Sequence, residues 1–78
     1  MNEFNVTAVI WQEDDAYVSK CPELEVASAG DTPQEALENL KEAVELYIEN
    51  AKILGILDDF TASIQSSNKF TSNIGVAV

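Results

Sequence analysis

The sequence predicts an α+β fold of two layers in the order βββαβ, a small sheet with one long helix packed on it. Three observations lead there. Alternating, β-branched segments fill the first third, a sharply capped helical stripe fills the middle, and an apolar alternating segment ends the chain. A chain of 78 residues can build one such core and not a second, so residues 1–78 are read as a single domain.

The segment Phe4 to Trp11 alternates in its first half and is rich in β-branched and aromatic residues, which predicts a strand. Gln12 to Asp15 supplies a polar turn. Ala16 to Cys21 then reads as a second strand, with Tyr17, Ser19 and Cys21 on one face and Ala16, Val18 and Lys20 on the other. The short connection makes the pair an antiparallel hairpin, and Trp11 and Tyr17, which could serve as interface anchors, are expected instead in the core because aromatic rings bury the largest areas. Pro22 has no amide hydrogen to give a ladder and should end the second strand. Leu24 to Ala29 is a third, edge strand, and Gly30-Asp31 turns out of the sheet.

Residues 30 to 37, "GDTPQEAL", open the helix. Thr32 is the expected N-cap, Pro33 suits the first helical position, and Glu35 completes a capping box in which side chains satisfy free backbone donors. Ala36, Leu37, Leu40, Ala43, Val44, Tyr47, Ile48, Ala51 and Leu54 follow at helical spacing as the stripe that meets the sheet, and Gly55 is a natural stop. The other face carries Glu35, Glu38, Glu42, Glu45 and Glu49, with Lys41 and Lys52 among them. Ile56 to Phe60 and Ser66 to Asn68 form a connector. Phe70 to Val78 reads as a last strand crossing over to lie parallel beside the first, giving the sheet order three, two, one, four. Its apolar positions Ile74, Val76 and Val78 at a sheet edge invite pairing with another chain, so a homodimer or larger homo-oligomer is expected.

Charge is the strongest global signal. Fourteen acids stand against four Lys and no Arg, a net charge of -10. Nucleic acid and anionic membrane surfaces are thereby disfavoured as partners, since binding them depends on Lys and Arg. A basic protein partner fits the sign, although acidity also serves solubility. No apolar run approaches the ~18 residues of a membrane span, and the first residues lack the pattern of a secretory signal, so a cytoplasmic address is the expectation.

No catalytic residue and no cofactor are expected. With no His and a single Cys, neither a zinc site nor a His-based triad can be assembled. Cys21 lacks an activating base and reads as a buried small side chain. The glycines stand apart at 30, 55 and 75, so no phosphate loop exists. Glu13, Asp14 and Asp15 could be imagined around Mg2+ or Mn2+, but they sit at a hairpin tip where acids are ordinary turn residues. Neither Asn5 to Trp11 nor Thr71 to Val78 contains an acid to join them. No metal site is expected.

The run from Tyr17 to Glu49, "YVSKCPELEVASAGDTPQEALENLKEAVELYIE", resembles the HicB-like antitoxin family. That family shows Pro-Glu-Leu after the second strand, Gly-Asp-Thr before the helix and Glu-Ala-Leu-x-Asn-Leu-x-Glu-Ala within it. Here these are Pro22-Glu23-Leu24, Gly30-Asp31-Thr32 and Glu35 to Ala43, and with the hairpin "VIWQEDDAY" the likeness covers residues 4–50. The resemblance implies a partial ribonuclease H-like sheet. It also implies neutralisation of a HicA-type toxin, a small basic mRNA-cleaving ribonuclease of double-stranded-RNA-binding fold, by covering its active surface. The acids expected to make that contact are Glu13, Asp14, Asp15, Glu23, Glu25, Glu38, Glu42 and Glu45. The chain departs from the family in two places. Asp14-Asp15-Ala16 stands where the family's hairpin usually has glycine, and after Gly55 there is no Arg and only Lys69, so the family's DNA-binding segment is not expected here. The rival readings are a stand-alone homo-oligomeric scaffold or small-ligand binder and, further off, a metal-dependent nuclease remnant.

Overall fold

A computed structural model describes residues 5–55 and 69–77. Three strands, β1 (Val9–Glu13), β2 (Ala16–Cys21) and β3 (Val26–Gly30), are followed by the helix α1 (Pro33–Leu54). The sheet is antiparallel throughout in the order β1-β2-β3. This is a small α+β fold of the βββα kind.

The hairpin is tighter than the sequence suggests. Glu13 pairs with Ala16, so Gln12 and Glu13 belong to the ladder and the turn is only Asp14-Asp15. Asp14 takes the left-handed conformation at φ 55, which a short polar side chain tolerates, so aspartate here does what glycine would do. At its other end β1 starts late, at Val9. Residues 5–8 are outside the ladder, and the Thr7 backbone N–H donates to the Glu23 carboxylate at 3.0 Å instead. Pro22 ends β2 as expected. The following loop turns back at Glu25, also left-handed at φ 55, which lets Leu24 enter the core before β3 begins at Val26.

Alternation along β2 determines which face meets the helix. Ser19 and Cys21 are fully buried, while Lys20 between them is exposed. Cys21 packs with Leu24, Leu40 and Val44, and around them lie Val6, Val26, Tyr47 and Ile48. Ala36 and Ala51 complete the buried helical positions. Leu37 and Leu54, expected on the same stripe, are exposed. For Leu54 the reason is length: 22 helical residues span about 33 Å, whereas a strand of five or six covers roughly 17–20 Å, so the helix outruns the sheet. Trp11 is a second correction. It lies on the sheet face opposite the helix and is 41% exposed, because its odd position on β1 pairs it with Val18 rather than with the row of Ser19.

The helix start is held by several local interactions. The Glu35 backbone N–H donates to Thr32 Oγ1 at 3.0 Å, with Thr32 extended at φ -135 and Pro33 following. Glu35 reaches back to the Asp31 backbone N–H at 3.4 Å rather than to that of Thr32, so the capping box closes one residue early. Gly55 at φ 74 closes the far end. Two bonds tie helix to sheet: the buried Ser19 hydroxyl donates to the Ala36 carbonyl at 2.8 Å, and Asn39 Nδ2 donates to the Ala29 carbonyl at 2.8 Å.

No fourth strand forms among residues 69–77, which corrects the expectation for the last segment; Val78 lies outside the described residues. Residues 71–73 and Ala8 to Ile10 line one shallow pocket beside β1, near where that strand was expected, without pairing to it. Ile74 and Val76 stay exposed there. The helix lies mainly over β3 and β2 and offers little apolar surface near β1 for them to cover. Ser72, Asn73 and Gly75 also favour strands weakly.

Gly30 ends β3 against the first helical turn. A Cβ at that position would stand 2.7 Å from the Ala36 nitrogen and 2.9 Å from the Glu35 carbonyl carbon, and backbone cannot step aside as a side chain would. Gly30→Ala is therefore expected to destabilise the fold by about 1–3 kcal/mol, the usual scale of overpacking, measured by urea denaturation monitored by circular dichroism.

Candidate protein-binding surface

The candidate contact residues do not converge on one spot. Pairing of Tyr17 with Gly30 puts the hairpin tip, with Glu13, Asp14 and Asp15, at the end of the sheet where α1 begins. Pairing of Cys21 with Val26 puts the loop bearing Glu23 and Glu25 at the opposite end. Glu38, Glu42 and Glu45 are exposed along α1 between them. Seven of the eight are exposed, and Glu23 is not.

Glu23 has an internal role. Its carboxylate accepts from the Thr7 backbone N–H at 3.0 Å, from Thr7 Oγ1 at 2.8 Å and from the Cys21 thiol at 3.5 Å, and it pairs with Lys69 Nζ at 2.9 Å. Lys69 also donates to the Asn5 carbonyl. Burial, which leaves 11% of the Glu23 side chain exposed, works to raise its pKa, but Lys69 and the two Thr7 donors outweigh it and bring the group down to about 2. One carboxylate thus joins the residues before β1, the β2–β3 loop and the segment after the connector. Cys21 beside it is pushed up, first by burial, and stays a thiol.

The groove beside α1 has a different character. Ala43 and Leu46 line its apolar part, Glu42, Glu45 and Glu49 surround them, and Asn39 and Ser28 close it toward β3. Helical spacing explains the set, since positions 42, 45, 46 and 49 are three and four apart and share a face. Glu49, Leu46 and Asn39 were not among the expected contacts, yet that same spacing was legible in the sequence. An apolar strip rimmed by carboxylates suits a Lys or Arg side chain, whose stem lies on apolar surface while its head meets an acid. Among the described residues no three of His, Cys, Asp or Glu are placed to hold a metal ion. No described helix is long and apolar enough to cross a membrane.

Comparison with known proteins adds one relative. The chain is 45% identical over 49 residues to UPF0150 protein ssr1765 of Synechocystis sp., a match covering 60% of this chain and 62% of that protein. The match thus spans under two thirds of the relative's length. No protein-family profile matches the chain, and no solved structure matches it.

Because the folded Glu23 carboxyl titrates near 2 against an ordinary 4.5, its contribution to stability is complete above pH about 4.5 and is lost as pH falls toward 2. That contribution is at most about 3 kcal/mol. Glu23→Gln should lower stability at pH 7 toward this bound and flatten the loss between pH 4.5 and 2, measured by urea denaturation across that range.

Proposed function

We propose that this protein is an acidic binding module of the HicB-like antitoxin type, which neutralises a small basic ribonuclease of the HicA type by covering its RNA-binding face. The observation that carries the reading is the α1 groove, where Glu42, Glu45 and Glu49 surround Ala43 and Leu46. A toxin surface that attracts RNA phosphates is attracted to the same carboxylates, so the module competes for the field that holds the substrate. Glu38 extends the acidic strip along the helix, and Glu13 to Asp15 add charge at the end where the helix starts. Glu23 is withdrawn from the contact set, because its carboxylate is spent within the fold. The resemblance of residues 4–50 to the family supports the same reading, as does the four-to-fourteen imbalance of bases and acids.

Reversal of Glu42, Glu45 and Glu49 to Lys should leave the helix intact, since all three are exposed, and should abolish protection of RNA from a HicA-type toxin. With one reversal at a time, the association rate should fall by about tenfold at low salt and by less at 0.5 M salt, followed by stopped-flow fluorescence. Association rates unaffected by all three reversals would remove the electrostatic basis of the proposal.

A further inference from the structure

The groove between α1 and β3 has a period along its length. Glu42, then Glu45 with Leu46, then Glu49 stand one helical turn apart, about 5 Å per step along the axis, and all four are exposed. Leu46 is at the middle, 58% exposed, with Ala43 beside it on the floor. Neither Lys41 nor Lys52 is among the lining residues, so the charge of the groove is of one sign. A large apolar side chain open to solvent inside a ring of charges has the layout of an interface whose centre becomes dry and whose rim stays wet.

Spacing selects the element that fits. Side chains one turn apart on a partner helix repeat about every 5.4 Å, and so stay in step with these acids over the whole groove. Side chains on one face of a strand repeat about every 6.8 Å, which puts them about 3 Å out of step by the third acid. The β3 edge also discourages an added strand, because Asn39 already donates to the Ala29 carbonyl at 2.8 Å. Charge selects the chemistry. Three acids around one apolar side chain complement an apolar residue with Lys or Arg three or four positions to either side of it.

We propose, resting on the reading of this groove as the contact for a basic protein, that it receives one amphipathic helix of that partner. The helix lies along α1 with an apolar side chain on Leu46 and its cations among Glu42, Glu45 and Glu49. The acids bring it in and Leu46 sets how long it stays, because long-range charge governs approach while close apolar packing governs release.

Two synthetic peptides of equal length and charge test it with the full chain. One is an Ala-rich helix carrying a central Leu with Lys three and four positions to each side, and the other is an extended Lys-Thr repeat with the same central Leu. Fluorescence anisotropy of the labelled peptides at low salt should show the helix binding at least about tenfold tighter. Leu46→Ser, at an exposed position outside the core, should raise the dissociation rate of the helix about tenfold and leave its association rate within about twofold. Glu45→Lys should chiefly slow association. Equal binding of the two peptides, binding of neither, or a dissociation rate unchanged in Leu46→Ser would overturn the inference. Tight binding of the helix without protection from a HicA-type toxin would instead reject the toxin reading and leave a basic helix as the occupant. Protection by a protein that binds neither peptide would reject the helix alone.

Discussion

The close approach of the first helical turn to β2 and β3 is the constraint on which the structure depends. Gly30 lets helix backbone come nearer than any side chain would permit, and Ser19 uses that proximity to donate its buried hydroxyl to Ala36. A hydroxyl sealed in a core without an acceptor would be strongly destabilising, so the bond and the distance support one another. With the start of α1 anchored there, Leu40, Val44 and Ile48 fall in turn onto Cys21, Leu24 and Val26. The same anchoring turns Glu42, Glu45 and Glu49 toward solvent, because on a helix the buried and the displayed faces are set together.

Charge is distributed by the same logic. Lys69 is committed to Glu23 and Asn5, and Lys20 is on the far face of the sheet, so neither offsets the carboxylates of α1. Lys41 stands on that helix with the acids, and exposed pairs at such spacing neutralise little. The result is a small protein with chemically distinct sides: an anionic helical face with an apolar strip, and a nearly neutral sheet face with a tryptophan on it. On the proposed reading the first meets a cationic protein.

The elements defined by local chemistry were legible from residues alone. Thr32, Pro33, Glu35 and Gly55 bound the helix by backbone geometry that each dictates within a turn, and Pro22 stopped β2 for want of an amide hydrogen. Alternation along Ala16 to Cys21 grouped Ser19 with Cys21, and the expected burial of Cys21 pointed that face inward, where both are fully buried. The acidic groove could also be anticipated in part, because the spacing of positions 42, 45, 46 and 49 is itself a statement about one helical face.

What the sequence by itself determined, then, is the order of the three strands and the helix, the caps of that helix, the alternation along β2 and the excess of acid on α1, since these follow from periods and contacts a few residues long. Tertiary structure alone decided where each surface ends. Trp11 is exposed because the one helix among the described residues covers only one of the sheet's two faces, Glu23 turned inward because Thr7 and Lys69 arrive from distant parts of the chain, and residues 70–77 formed no strand because the helix lies mainly over β3 and β2, away from β1. Such outcomes depend on which distant groups meet, and spacing along a single chain carries no record of that.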